Sequence, residues 1–562
     1  MNSVPEETRR VFAYHERTKH HPHRYARALG YMDWDTQPDP FRTYAGAPRL
    51  ELPLSADGVR TRYADLYARD VPARPLDLES LAAFFELALG ITAWKEYGDA
   101  RWALRADPSS GNLHPTEGYA VLPATSGLPA GVHHYVSRDH CLEQRCAFSA
   151  APALELERAL GPGSFLVGLT SIHWRESWKY GERAFRYCQH DIGHVIGTVR
   201  FAAAALGWKA RILDSWGDDQ VSSLLGLDRE EDHALLHPLD REHPDLVLAV
   251  GPAESGPAES GPRWAGLESN AAGLLPQLRA GTWHGSPNTL SSDHHEWKVI
   301  DDVADATRKP AGSPASARSR SDSSASPPAL AASACEEPAA TIIRQRRSAV
   351  ELDRVTTITS QQFYGMLDRL LPRPGVAPWD ALPWEPRVHL GLFVHRVDGL
   401  TPGVYVLERS GGVHAPLKAM LGDKALWTRP PGCPDHLQLA CIGEVDSRRT
   451  AAAVSCGQDI AADGAFSLGM FAEFRPSVET GAFWYRRLFW ETGVLGQVLY
   501  LDAESLGIRA TGIGCYFDDA FHDVLGLEGD RFQSLYHFTV GGPVDDTRLV
   551  TRPPYEHLER SR

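Results

Sequence analysis

The sequence predicts an α+β protein made of two copies of one domain. Three observations predict it: a repeat at long spacing, interleaved helical and strand patterns within each copy, and two stretches without core-forming residues between the copies. Residues 191–207 (DIGHVIGTVRFAAAALG) lie against 491–507 (ETGVLGQVLYLDAESLG) at a constant offset of 300, with Gly193 on Gly493 and Leu206-Gly207 on Leu506-Gly507. The same offset carries Leu225-Gly226-Leu227 onto Leu525-Gly526-Leu527, and both copies close on Gly-Pro, at 251–252 and 542–543. Upstream, GLPAGV at 127–132 matches the pattern of GLTPGV at 399–404. Matches in one order over about 120 residues describe a duplicated domain, because solenoid repeats run to only about 20–50 residues.

Along the chain, the histidines of YHERTKHHPHRY (His15, His20, His21, His23) come first. Pro22 breaks any helix there, so no i, i+4 imidazole pair forms; a polar, partly exposed segment and no metal site are expected. Leu81 to Leu89 reads as a helix. Tyr119–Leu122, Leu246–Val250 and His389–Val394 have strand character. Ile192, Val195, Ile196, Val199, Ala203 and Leu206 recur at helical spacing, and Gly207 stands where a C′ glycine ends a helix. Interleaved elements mean α+β or α/β, and two copies imply a two-fold pseudo-symmetric arrangement. PAESGPAESGP at 252–262 has no apolar content. The tract 311–340 is nearly all Ser, Ala and Pro and is expected to be a flexible linker. Between them, about 263–310 carries enough Trp, Leu and Ile to form an ordered arm. The expected domains are therefore 1–252 and 341–562, with a linker at 253–340.

Composition sets the class. In 562 residues, 57 Lys and Arg against 72 Asp and Glu give a net charge of −15, a poor match for nucleic acid or anionic lipid. No apolar run reaches the ~18–20 residues of a membrane span, and MNSVPEETRR lacks the apolar core of a secretory signal. Eight cysteines without a Cys-x-x-Cys fit scattered reduced thiols. A soluble, cytoplasmic protein is expected, acting as a monomeric pseudo-dimer or a homodimer. No Gly-x-Gly-x-x-Gly opens a helix after a strand, so no dedicated nicotinamide domain is expected.

The sharpest local string is Arg105-Ala-Asp-Pro-Ser-Ser-Gly-Asn-Leu-His-Pro-Thr-Glu117. Its Pro, Ser, Gly and Asn make a tight polar turn, and on composition alone an ordinary surface turn accounts for them. Three further strings stand out. They are Trp178-Lys-Tyr-Gly-Glu-Arg-Ala-Phe-Arg-Tyr187 leading into Asp191-Ile-Gly-His194, Ile343-Arg-Gln-Arg-Arg-Ser348, and Gly512-Ile-Gly514-Cys-Tyr516. Three arginines and a hydroxyl in 344–348 can hold a phosphate, although on the residues alone a solvated basic helix start accounts for them better. Together these strings resemble the nitroreductase-like FMN flavoprotein superfamily. The Leu-His-Pro continuation and the Lys-Tyr string resemble its SagB/ThcOx-type branch, the azoline dehydrogenases of thiazole and oxazole peptide biosynthesis.

The resemblance implies fused α-β-α sandwich domains that form an intramolecular pseudo-dimer, with FMN at the interface of the copies. Carried over residue by residue, it assigns Arg105, Pro108, Ser109, Ser110 and Asn112 of the first copy and Arg346, Arg347, Ser348, Gly512 and Gly514 of the second to FMN. It assigns Lys179 and Tyr180 to proton transfer; read alone, the pair is an exposed loop. Trp34, Trp174, Trp178 and Tyr187 are candidates for an apolar wall over the flavin or for core. The mirror site would need the same parts from opposite copies, where Ile212 and Asp214 replace the glycines and PWDALPWEPR precedes His389 in place of the serine turn. One FMN per chain is therefore expected, with Asp214 adding an uncompensated charge on the mirror side. Val350 stands where the family often carries a cation, which Arg548 or Arg552 would replace. The implied activity is dehydrogenation of an azoline-like heterocycle or peptide-derived substrate, with biosynthetic partner proteins. The alternatives are an NAD(P)H-dependent nitro or quinone reductase and a partner-binding protein with a decayed flavin site.

Overall fold

The structure is a computed structural model that describes residues 4–67, 71–124, 127–252, 264–312, 327–331, 333–422 and 425–559. The first copy opens with α1 (Glu6–Arg17), followed by α2 (Leu78–Ala88), β1 (Ile91–Tyr97) and β2 (Ala100–Arg105). Strands β3 (Thr116–Leu122), β4 (Gly131–Val136), β5 (Cys141–Ala147) and β6 (Phe165–Ser171) come next. Helices α3 (His173–Tyr180) and α4 (Ala184–Ala205) then lead to β7 (Trp208–Ile212), α5 (Asp218–Leu225) and β8 (His243–Pro252). The stretch between copies holds α6 (Ala265–Arg279) and α7 (Lys298–Ala306).

The second copy runs α8 (Ala339–Gln345), α9 (Ser360–Arg369), β9 (Val388–Val394), β10 (Gly403–Glu408), β11 (Gln438–Glu444) and α10 (Arg448–Val454). It continues with β12 (Phe466–Glu473), α11 (Trp484–Ser505), β13 (Arg509–Ile513), α12 (Asp518–Leu525), β14 (Phe532–Gly541) and β15 (Val550–Arg552). The two sheets share the orders β5-β4-β3-β6-β8-β7 and β11-β10-β9-β12-β14-β13, antiparallel throughout, and the first adds the short strands Arg49–Glu51 and Thr282–Trp283 beside β5. The strand-for-strand match is the duplication seen in three dimensions. The three strand patterns of the sequence fall inside β3, β8 and β9.

The copies meet through α4 and α11, which cross at their glycines. A Cβ on Gly193 would lie 2.7 Å from the Gly493 Cα, and one on Gly493 would lie 2.6 Å from the Gly193 Cα. Only hydrogen at both positions lets the backbones approach this closely. All 22 residues of α4 are buried, as expected of a helix at the centre of a core, and one apolar cluster runs through both copies.

The termini are exchanged between copies. At the end of α1, the His20 N–H donates to Asp518 Oδ2 (3.0 Å) and Lys19 Nζ pairs with Asp519 (2.8 Å). After α7, the Lys309 N–H donates to Asp218 Oδ2 (3.1 Å) and Arg308 pairs with Asp219. Arg186–Asp518 (2.8 Å) and Arg486–Asp218 (2.7 Å) repeat the same symmetry in buried ion pairs. Thus α7 plays in the second copy the part α1 plays in the first, and the expected arm 263–310 ends in a repeated element. At the other terminus β15 pairs with β1.

Two expectations change. His15 and His20 are buried against the second copy; His15 meets Tyr485 and Gln533, and only His21 and His23 keep substantial exposure. The described ends of the tract 311–340 are anchored. Gly312 N–H donates to the Ser215 carbonyl, Tyr63 N–H to Glu337, and Arg373 to the Pro328 carbonyl, while Ala339 and Ala340 already belong to α8. The rest of that tract (313–326 and 332) and most of the PAESG repeat (253–262) lie outside the described residues.

Candidate active site

Between β2 and β3 the chain turns through Ser110–Asn112, with φ of +60° at Gly111 and Asn112 and +50° at His114. Asn and Gly tolerate this region, and side-chain hydrogen bonds hold the turn in it. Asn112 Nδ2 donates to the Ala103 carbonyl (2.7 Å) and its Oδ1 meets His114 Nε2 (3.1 Å). The His114 N–H donates to Ser109 Oγ (2.8 Å), and the Ser110 N–H to Asp191 Oδ1 on α4 (3.2 Å). Ser109, Ser110 and Asn112 were expected to face a ligand with these groups. In the structure the groups of these residues brace the turn, and Pro108 is buried.

Lys179 and Tyr180 form the last residues of α3, not a loop, and Gly181 (φ +55°) ends the helix after them. Both reach the turn: a Cβ on Gly111 would lie 2.5 Å from the Tyr180 hydroxyl and 3.2 Å from Lys179 Nζ. Lys179 Nζ also sits 5.3 Å from the centre of the Tyr180 ring. Burial, with the Glu176 carboxyl next in effect, raises the Tyr180 phenol well above its ordinary range, so it stays protonated. Of the four aromatic candidates, Trp34 is exposed and sets its edge on Trp178 (5.6 Å). Trp174 and Trp178 pack in a small cluster with Leu113, Ile172 and Leu290.

Three buried carboxyls surround this corner, and nothing in their sequence pattern distinguishes them. Glu176 lies one turn before Lys179. Burial, then the neighbouring Asp191, raises it well above its ordinary range, against the pull of Lys179. Burial pushes Asp191 up to about 8, although hydrogen bonds from the serine turn act the other way. Asp107 is likewise pushed up to about 7 by burial, opposed by Arg105. Native Asp191 therefore holds its proton where an unfolded aspartate, with a pKa of about 3.9, has lost it. Its contribution to stability is greatest in acid and is lost as pH rises through that window, by up to ~1.4 kcal/mol per pH unit. Asp191→Asn should flatten the fall of urea-unfolding free energy between about pH 5 and 7.5 relative to the unsubstituted protein. An unchanged slope would mean that native Asp191 is ionised.

The second copy brings the basic segment against this turn. Arg346 is buried, its Nη2 donates to the Arg105 carbonyl (3.0 Å), and its guanidinium lies 5.0 Å over the Tyr500 ring. Its Nε has no hydrogen-bond partner among the described residues; neither has Nε of buried Arg105, whose Nη2 donates to the Pro40 carbonyl. Arg347 is placed differently. Its donors go to Thr92 and to the Arg344 and Arg346 carbonyls, so it clamps backbone. Ser348 Oγ shares a hydrogen bond with the Tyr500 hydroxyl (2.9 Å), which also accepts from the Gly512 N–H (3.0 Å).

Gly512 and Gly514, expected to make room for a ligand, have a cause within the protein. A Cβ at Gly512 would collide with the Tyr536 hydroxyl, and one at Gly514 with the Tyr187 ring. Tyr187 donates to the Gly514 carbonyl (3.1 Å) and packs 4.6 Å from Tyr180, while Tyr536 stacks on His190 (4.1 Å). A band of rings thus runs from the Lys179-Tyr180 corner to the Arg346-Ser348 corner. Arg548 and Arg552 do not supplement the cations: they pair with Asp546 and Glu96. FMN would bring a phosphate and a polar ring edge. The unfilled donors of buried Arg346 and Arg105, with unpartnered Asp107 Oδ1 and His194 Nδ1, fit such a group.

The mirror position is closed. Asp214, equivalent to Gly514, is not uncompensated as expected: it is ion-paired with Arg487. The Arg487 guanidinium lies 4.8 Å from the Trp384 ring, 4.9 Å from Trp484 and 4.7 Å from Phe483. Packed rings and an ion pair, not an uncompensated charge, mark this side.

Two fused α+β domains, with their functional strings brought together across the α4–α11 interface, define the nitroreductase-like fold. No protein-family model matches the chain. A solved structure described as a nitroreductase from Anabaena variabilis aligns with 95% of this chain and 99% of its own, with a TM-score of 0.65 and 21% identity, a likeness of fold that includes both copies. In sequence, 187 residues are 25% identical to the assigned nitroreductase MJ1384 of Methanocaldococcus jannaschii, covering 33% of this chain and 84% of that protein. A further match of 141 residues is 33% identical to the trifolitoxin-processing protein TfxB of Rhizobium leguminosarum bv. trifolii, covering 24% of this chain and 38% of TfxB. The chain has the nitroreductase-like fold as a tandem duplication, and parts of its sequence are similar to MJ1384 and TfxB. Among the described residues no helix is long and apolar enough to cross a membrane.

Proposed function

We propose that the protein is an FMN-dependent oxidoreductase that holds one flavin per chain and dehydrogenates an azoline-like heterocycle or another peptide-derived substrate. The observation that carries this reading is the packing of Lys179 and Tyr180 onto the Gly111 turn, across from the unfilled donors of Arg346. FMN, when bound, supplies a two-electron acceptor. Arg346 and Ser348 would hold its phosphate. Arg105, the 108–112 turn and the Gly512–Gly514 strand would border the rest, and Arg347 would fix the segment that carries Arg346. Lys179 Nζ is the group positioned to take a proton from substrate carbon, and the protonated Tyr180 hydroxyl orients it. Glu176 and Asp191, buried beside them and holding protons of their own, keep negative charge away from this corner. The likeness to a protein named for trifolitoxin processing supports a peptide-derived substrate and biosynthetic partner proteins. A cytoplasmic location goes with this reading.

Anaerobic mixing of flavin-loaded protein with NADPH tests the direction. The proposal expects the flavin to stay oxidised with NADPH and to bleach with an azoline-containing peptide. Rapid bleaching by NADPH alone would overturn it in favour of a nitro or quinone reductase, the reading that the names of MJ1384 and the Anabaena protein favour. A colourless protein that takes up no added FMN would favour the partner-binding alternative.

A further inference from the structure

Two cysteines far apart in sequence meet at the rim of the candidate site. Cys515 directly follows Gly514 at the end of β13, and Cys456 lies in the loop after α10; their sulfurs are 2.7 Å apart. Both are partly open to solvent, whereas Cys141, Cys146, Cys188, Cys433 and Cys441 are buried. Cys456 adopts φ +56°, a conformation that non-glycine residues rarely hold without surrounding support. The support is visible. Gln458 Nε2 donates to the carbonyls of Ser455 and Cys515 (2.9 Å each), and the Phe517 N–H donates to the Val454 carbonyl (2.7 Å), so the two segments are joined on both sides of the sulfur pair. Arg183, reaching the Gly514 carbonyl (3.4 Å), brings a cation to the same place. The hydrogen bond from the Cys456 thiol, and then Arg183, hold the Cys515 thiol below its ordinary range. A thiolate of this kind, with a second thiol beside it, is the arrangement that thiol–disulfide exchange needs.

We propose that Cys515 and Cys456 form a dithiol site that reacts with small disulfides and closes to an intramolecular disulfide. The Cys515 thiolate attacks one sulfur of R–S–S–R, forming Cys515–S–S–R and expelling one R–S⁻. The Cys456 thiolate then attacks the Cys515 sulfur of that mixed disulfide, expelling the second R–S⁻. The two cysteine protons end on two R–SH. One disulfide bond is lost and one gained, so the small disulfide is the sole oxidant. Closure ties the loop after α10 to the strand end that carries Gly512 and Gly514, next to Tyr187 and Tyr180. The inference rests on the thiol geometry and is independent of the flavin reading.

Peptide mass mapping of the full-length protein without reductant, after exposure to oxidised glutathione, tests it. The expected result is one cross-linked species joining the Cys456 and Cys515 peptides, with both residues losing iodoacetamide labelling together and regaining it with dithiothreitol. Cys456→Ser should trap a single glutathione on Cys515. If both thiols stay alkylatable after oxidation, or glutathione accumulates on other cysteines while Cys515 stays free, the proposal is overturned. Mapping of the unsubstituted protein decides the matter even if the variant does not fold.

Discussion

Extraction of the purified protein is expected to yield one FMN per polypeptide, and Arg346→Ala is expected to remove it. Arg346 is a buried guanidinium whose side chain, among the described residues, has one carbonyl acceptor and an unpartnered Nε, and burial lowers its pKa. A phosphate would satisfy that cation, and a charge-assisted hydrogen bond contributes about 1.5–3 kcal/mol. Losing two of them should weaken binding by roughly a hundredfold or more. Without flavin the variant should be at least as heat-stable as the unsubstituted protein, because truncation removes a poorly partnered buried charge. That readout separates a binding role from a structural one. Arg347→Ala should instead lower stability, since its donors hold Thr92 and two backbone carbonyls. Ser110→Trp, in the other copy, should also expel the flavin by filling the site from the opposite wall. Two flavins per chain would contradict the filled mirror position, where Arg487 sits among Trp384, Trp484 and Phe483.

Lys179→Ala and Tyr180→Phe should leave flavin content intact and cut turnover by roughly 10²–10⁴, the usual range for removing a positioned proton-transfer group. Their place at the end of α3 sets both side chains against the Gly111 turn. Both can change without opening a cavity in the main core. Glu176→Gln should keep flavin and shift the pH profile of turnover, because it removes an ionisable neighbour of Lys179 while leaving Lys179 in place. Loss of flavin with unchanged turnover per bound flavin would make the Lys-Tyr pair a structural prop.

Local pattern carried much of this far. The offset of 300 places Gly193 on Gly493, and those two glycines mark the crossing of the central helices, since close backbone approach tolerates no side chain on either partner. Helical periodicity identified α4 because its burial is written in its own spacing. The strings around Ser109, Lys179, Arg346 and Gly512 were each legible as motifs because turns, basic segments and glycine pairs are local chemistry. Their meeting across the interface was implied only by resemblance.

What the chain does with its charged residues was not legible. Glu176 and Asp191 look in sequence like any solvated carboxylates, and only their enclosure between α3, α4 and the serine turn raises their proton affinity. Asp214 looked repulsive until Arg487, 273 residues away, was seen to pair with it. Cys456 and Cys515, 59 residues apart, gave no spacing signal at all. The sequence by itself determined the duplication and the α+β class, because these follow from periodicity and local turn chemistry, while the inventory of candidate site parts came from the resemblance. Only the tertiary structure decided which arginine of the basic segment clamps backbone and which is buried beside the turn, which carboxyls stay protonated and which sulfurs touch. Those properties depend on burial and on partners supplied by distant segments, and no local pattern encodes either.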